Sequence, residues 1–393
     1  MAGARDRTDR IRQSIAPFMR FFAGPYTALA GDAATANFAV GNPHDMALPG
    51  YVDALHRHLD PRDTEWFAYK TSEPPARRAV ARTLAARTGL DWDPEDIAMT
   101  NGGFAAIAVA LKALLNPGDE AIFLTPPWFF YEMLILAADA VPVRVRLEPP
   151  RFELDFAAIE AAVTPRTRLV LLNSPHNPGG RVYPADDLQR LADLLAGASA
   201  RIGAPIHLLS DEPYNRIVFD GRSYHSPAEF YPRTVVTYSY GKTLLAPGMR
   251  IGYLAMPPSM PERERLREEI FIAQLSGGWL FPNALLQHAI DDLERLSIDV
   301  GALERRRDRL VPALRALGYE ATLPEGTFYV MARAPFDDDL AFCERLNRHK
   351  VLVLPGSVVE LPGWFRISLT ASDEMVERGI GGFAAAVRDV SGV

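Results

Sequence analysis

The chain has 393 residues, 48% of them apolar and 23% charged, with a net charge of -7 at neutral pH. That composition is ordinary for a globular protein of two or three domains at ~150 residues each, and its acidic balance argues against a nucleic-acid partner, which needs a basic face. The single cysteine, Cys343, rules out an intrachain disulfide framework and a cysteine-rich zinc site.

The N-terminal stretch mixes Arg5, Arg7, Arg10 and Arg12 with Asp6 and Asp9. It lacks the apolar core of a secretory signal, so a cytoplasmic protein is expected. Phe18, Phe21, Phe22 and Tyr26 follow without a long helix pattern, and this segment is expected to pack on another domain or subunit. From residue 97 to 255 short apolar runs alternate with helical patterns. The runs are 97–100, 121–125, 142–147, 168–173, 206–210, 234–239 and 251–255. Most lack polar alternation, as strands of a parallel sheet do when helices cover both faces. In 185–196, Leu188, Leu191, Ala192 and Leu195 follow the helical period behind Pro184. The most apolar stretch, 121–138, is broken by Pro126, Pro127 and Glu132, so no membrane span is expected. A charged helix pattern over 303–317 stops at Gly318. Strand-like runs at 329–333, 351–355 and 365–369 then alternate with helical stretches and read as a second, α+β domain.

Three generic motifs fail on inspection. Gly241-Lys242-Thr243 resembles the end of a phosphate loop, but Val236 stands where the first glycine is required. Ser239 lacks the flanking glycines of a nucleophile elbow. No Gly-x-Gly-x-x-Gly follows the first strand. The eight histidines show no zinc-ligand spacing, and no metal is predicted. What remains is a series of polar residues at the carboxyl ends of predicted strands, where open α/β sheets place ligands. Thr100-Asn101-Gly102-Gly103 joins a strand to an apolar helix. Asn173 to Gly180 ends another strand, Asp211 a third, and Ser239 a fourth, with Lys242 and Arg250 beyond it. Each alone has an ordinary structural reading: a helix cap for Asp211, a turn for Gly102-Gly103, a cross-strand partner for Arg366. Their joint order is informative.

In that order the sequence resembles the class I/II aminotransferases, fold-type I pyridoxal-phosphate enzymes, from about Phe38 to Thr370. The matching segments are Asn173-x-x-x-Asn177-Pro178-x-Gly180, Asp211-Glu212-x-Tyr214, Ser239-x-x-Lys242 with Pro247-Gly248-x-Arg250-x-Gly252, and Phe365-Arg366-Ile367-Ser368. The resemblance implies an α/β fold with a large domain on a mainly parallel seven-stranded sheet and a smaller α+β domain. The expected division is 1–45 for the N-terminal arm and part of the small domain, 46–290 for the large cofactor domain, and 291–393 for the small C-terminal domain.

The resemblance also implies roles. Lys242 forms the Schiff base with pyridoxal 5'-phosphate and shuttles the substrate α-proton. Asp211 pairs with the ring nitrogen, Tyr214 and Asn177 bond the ring 3-oxygen, and Trp128 stacks on the ring. Gly102, Gly103 and Phe104 at a helix start, with Ser239 and Arg250, hold the phosphate. Tyr69 reaches the phosphate of a neighbouring subunit, which implies a homodimer with shared sites. Arg366 grips the substrate carboxylate, and the backbone of Gly41 approaches it, with Asn177 alongside. The partners are then an amino acid and a 2-oxo acid.

The departures bear on substrate. Phe104 stands where relatives acting on aspartate carry a lysine that meets the side-chain carboxylate, so an apolar or aromatic donor is a candidate. Gly241 replaces a serine often found before the lysine, and His176 a smaller residue beside the Asn-Pro pair. The core motifs equally serve elimination, replacement, racemisation or oxidation. A DNA-binding sensor is disfavoured, because only about forty residues precede Gly41.

Overall fold

The computed structural model describes residues 2–391. Its strands are, in chain order, β1 (Ala36–Asn37), β2 (Ile97–Thr100), β3 (Glu120–Thr125), β4 (Val141–Arg146), β5 (Thr167–Asn173), β6 (His207–Asp211), β7 (Thr234–Ser239), β8 (Gly252–Ala255), β9 (Tyr329–Arg333), β10 (Val351–Leu352), β11 (Leu354–Pro355) and β12 (Trp364–Ser368). Strands β2 to β8 form the expected seven-stranded sheet in the order β2-β8-β7-β6-β5-β3-β4. Its pairs are parallel except those of β8, which runs against β7 and β2.

The unbroken apolar runs follow from this layering, because alternate residues of each strand feed two cores. Ile122, Leu124, Val170, Leu172 and Leu208 pack with Leu188, Leu191 and Leu195 of the helix Ala185–Ile202. Their neighbours Phe123, Leu169, Leu171 and Leu209 pack with Ile107, Val109 and Leu111 of the helix Gly103–Leu114. The edge strand β4 is the exception, with several half-buried or exposed positions.

The C-terminal third forms the expected second sheet, three antiparallel strands in the order β11-β12-β9. Helices Val300–Ala316, Asp339–Arg348 and Asp373–Ser391 share its core, through Leu310, Phe342 and Phe383 among others. The run 351–355 is split: β10 pairs in parallel with β1, and β11 joins β12. The β1–β10 ladder ties the N-terminal segment to this sheet.

One expectation fails. The N-terminal segment does carry a long helix, Ala2–Ser14, followed by Ala16–Phe21. Its interleaved arginines and aspartates leave no apolar stripe for the sequence to show. Asp9 and Arg12 pair within the helix at 2.8 Å, and Arg7 reaches across to Asp139 at 3.0 Å. Phe18 lies 4.8 Å, centroid to centroid, from both Phe129 and Phe130, so the segment packs against its own chain. Among the described residues no helix is long and apolar enough to cross a membrane.

Candidate active site

A cavity of about 200 Å³ opens at the carboxyl ends of the parallel strands. Gly103, Phe104, Trp128, Asn177, Asp211, Tyr214, Ser239, Lys242 and Arg250 line it, all anticipated from sequence; Ile107 and Pro213 join them unanticipated. Asp211 ends β6 and forms the buried floor. Its carboxylate accepts hydrogen bonds from the Tyr131 hydroxyl at 2.5 Å and the Thr237 hydroxyl at 3.3 Å. Burial pushes its pKa up to about 6, against those two hydroxyls, which pull it down.

Lys242 sits in the short helix Tyr240–Thr243 directly after β7, with its Nζ 5.8 Å from the centre of the Phe328 ring. Opposite, the helix Gly103–Leu114 begins at the cavity wall and directs its free N–H groups there. Gly102 has φ +84°, and a Cβ on it would lie 2.5 Å from the Arg250 guanidinium. Only glycine allows that arginine to close on the helix start. Arg250 donates to the Pro247 carbonyl at 2.7 Å, which fixes its head.

Arg366 on β12 is 2% exposed. One Nη donates to Asn177 Oδ1 at 2.9 Å and the other to the Ala39 carbonyl at 3.2 Å. Its Nε is buried without a hydrogen-bond partner. A buried guanidinium with an unused donor suits a planar carboxylate. Gly41 lies at this end of the site: a Cβ there would be 2.5 Å from the Phe328 ring and 2.7 Å from the Tyr329 hydroxyl. Asn173 braces the floor, donating to the Asp211 carbonyl at 2.8 Å and accepting from the Asn177 amide at 2.6 Å.

His176 proves to be a pin in the turn. Its Nδ1 accepts from the Gly179 amide at 3.2 Å, so its Nε2 donates to the Pro126 carbonyl at 3.1 Å. Burial pushes its pKa down to about 4, which keeps it neutral. It thereby links the Asn-Pro turn to the loop bearing Trp128. Tyr69 lies away from the cavity lining, 87% exposed, with its ring 4.9 Å from that of Phe281.

Sequence reasoning missed Tyr131, Thr237 and Tyr329. Thr237 stands two residues before Ser239 and directly opposite Asp211 in the β6–β7 register. Strand alternation from Ser239 could have found it. Tyr131, which opens the helix Tyr131–Ala137, and Tyr329, at the start of β9, are distant in the chain and left no local signal. Among the described residues no group of His, Cys, Asp or Glu side chains could hold a metal ion.

A buried carboxylate floor, a lysine above it, and a glycine-opened anion cradle at a helix start together fit pyridoxal 5'-phosphate. The fold and the cavity are those of a fold-type I enzyme using that cofactor. The chain belongs to the class I and II aminotransferases, whose family model matches residues 34–383. It is 31% identical over 358 residues to a probable aspartate/prephenate aminotransferase of Thermus aquaticus, covering 88% of this chain and 90% of that one. An amino transferase structure from Eubacterium rectale superposes with a TM-score of 0.87 at 31% identity, covering 96% and 95% of the two chains. Aspartate aminotransferase from Thermus thermophilus with maleate gives 0.81 at 29% identity, covering 95% and 96%. The protein is accordingly a pyridoxal-phosphate-dependent aminotransferase acting between amino acids and 2-oxo acids.

Proposed function

We propose that Lys242, Asp211, Tyr214 and Arg366 carry this reaction in the roles that the motifs imply. The observation that carries the reading is that one cavity presents Lys242 and Asp211 together, with the unused donor of Arg366 reached through Asn177. The cofactor supplies an aldehyde for the amino group and a ring that draws electron density from the α-carbon. Lys242 would hold the cofactor through its side-chain nitrogen; displaced from it by the substrate amino group, its free amine would take the α-proton and return it to the aldehyde-derived carbon. Asp211 would pair with the protonated ring nitrogen, and Tyr131 and Thr237 fix its carboxylate in place. Tyr214 and Asn177 would donate to the ring oxygen, and Trp128 would pack on the ring face. The helix start at Gly102, Gly103 and Phe104, with Ser239 and Arg250, binds the phosphate. Arg366 and the backbone at Gly41 orient the α-carboxylate. The domain division at 46–290 and 291–393, and a cytoplasmic location, belong to the same reading.

We further propose a donor with an apolar or aromatic side chain. Phe104 is half-buried at the cavity, with its ring 5.1 Å from Trp128 and 5.2 Å from Phe130. The cations of this chain lining the cavity are Lys242 and Arg250, both assigned to the cofactor. A carboxylate side chain against that aromatic wall would lose its hydration without a partner. The test adds single amino acids to the loaded enzyme without an oxo acid and follows the visible absorption band. Phenylalanine or leucine should convert it to a near-ultraviolet band with kcat/KM roughly 10²-fold above aspartate. Preference for aspartate would defeat the donor assignment; a band that no donor converts would defeat the proposed roles.

A homodimer with shared sites completes the reading. The helix Arg263–Gly277 exposes Phe271, Ile272 and Leu275, and Phe67, Tyr69 and Phe281 lie exposed as well. Apolar exposure of this kind marks an interface, and a two-fold copy is the simplest cover. Sedimentation should give the mass of two chains for the wild type and of one chain for Ile272→Asp. A wild type that sediments as one chain at micromolar concentration would refute the dimer and, with it, the role of Tyr69.

A further inference from the structure

Tyr329 is a buried aromatic that none of the motifs pointed to. It lies on β9, and β9 pairs antiparallel with β12 so that Met331 faces Arg366 and Tyr329 faces Ser368. Tyr329 and Arg366 are thus diagonal neighbours on one face of the sheet. The guanidinium carbon of Arg366 stands 3.9 Å from the centre of the Tyr329 ring. That is close contact for a cation over an aromatic face, and the site is dry.

The other end of the same side chain meets the cofactor side. The hydroxyls of Tyr329 and Tyr214 share a hydrogen bond, and when Tyr329 donates in it the single Tyr214 proton is left for the cofactor. The groups acting on the Tyr329 hydroxyl are Arg366, Lys242 and Tyr214. Burial pushes this hydroxyl up, yet the two cations and the Tyr214 hydrogen bond outweigh it and hold it below the ordinary tyrosine value. The hydroxyl also abuts Gly41, where any Cβ would lie 2.7 Å from it. One residue therefore touches the arginine and the glycine assigned to the substrate carboxylate and the tyrosine assigned to the cofactor.

We propose that Tyr329 is a positioning residue that couples the two halves of the site: its ring supports Arg366 for the substrate carboxylate, and its hydroxyl, donating to the Tyr214 oxygen, orients the Tyr214 proton toward the cofactor. The inference rests on the roles given above to Arg366 and Tyr214. It separates by chemistry, because phenylalanine keeps the ring and discards the hydroxyl, whereas leucine discards both.

The experiment uses the loaded enzyme and two readouts. The first is the dissociation constant of 3-phenylpropionate, a carboxylate with no amino group to react. The second is the pH midpoint of the visible band. Tyr329→Phe should leave 3-phenylpropionate binding within about twofold, and Tyr329→Leu should weaken it about tenfold. The pH midpoint should move in both variants by about half a pH unit or more, since both lose the hydrogen bond to Tyr214. Tyr329→Met replaces the leucine variant if that protein does not fold. A phenylalanine variant with an unmoved midpoint, or a leucine variant that binds the probe like wild type, overturns the inference. Arg366→Leu serves as the reference. If it too binds the probe undiminished, the role of Arg366 fails as well; if it binds weakly while Tyr329→Leu does not, the inference alone fails.

Discussion

Lys242→Ala is expected to lower turnover by on the order of 10²–10⁴-fold, the contribution of a positioned acid–base group. The variant should still bind the cofactor, because the helix start, Ser239, Arg250 and the Asp211 floor are untouched. Its loss should appear in the proton-transfer step and not in donor affinity. Single-turnover mixing with the preferred donor measures that step directly. In the wild type, borohydride should fix the cofactor onto one peptide, the one containing Lys242, and mass spectrometry identifies it. A variant that keeps a tenth of the wild-type rate, or a label on another lysine, would remove Lys242 from the chemistry.

The second large effect belongs to Arg366. Its side chain is 2% exposed and is held by Asn177, by the Ala39 carbonyl and by the Tyr329 ring. Such a cation is kept in the interior at a desolvation cost that a substrate carboxylate offsets. Arg366→Leu should reduce kcat/KM by roughly 10²–10³-fold, in line with about 3–4 kcal/mol for losing one member of a buried charge pair. Arg366→Lys should recover only part of this, because an ammonium cannot reproduce the planar fork. Comparing each donor with its amide, which carries no carboxylate, isolates the contact. The wild type should strongly prefer the acid, and Arg366→Leu should lose that preference. An unchanged acid-to-amide ratio would place the carboxylate elsewhere. Circular dichroism guards against misfolding as the explanation.

The sheet was readable because its strands are buried on both faces. Runs such as Leu169–Leu172 and Val235–Val236 have no polar alternation to confuse with a helix or a loop. The cavity was readable because Asn173, Asp211 and Ser239 end such strands, Asn177 and Lys242 follow within four residues of one, and Arg250 stands in the segment just beyond. What escaped depended on register or on distance in the chain. Tyr329 meets Arg366 only because β9 and β12 pair with Met331 opposite Arg366, and no single sequence carries that offset. Tyr131 reaches Asp211 across 80 positions. The first helix escaped because charged residues such as Arg7, which pairs with Asp139, and Asp9, which pairs with Arg12, break up its apolar periodicity.

The carboxylate at the end of β6 has a thermodynamic side. Asp211 is buried at the cavity floor, and its pKa stands near 6 against an ordinary 3.8. A raised acid means that the folded chain holds a proton that the unfolded chain has released. Between pH 3.8 and about 6 the fold therefore loses stability as the pH rises, by roughly 3 kcal/mol from this one group. Above that range the penalty is complete and constant. A cationic ring nitrogen set against the carboxylate reverses its sign of environment and removes much of that penalty. Cofactor uptake then acts as a folding ligand as well as a reagent, since whatever binds only the native state raises its population by mass action. The amount of intact protein in solution would follow the supply of cofactor, quite apart from any turnover.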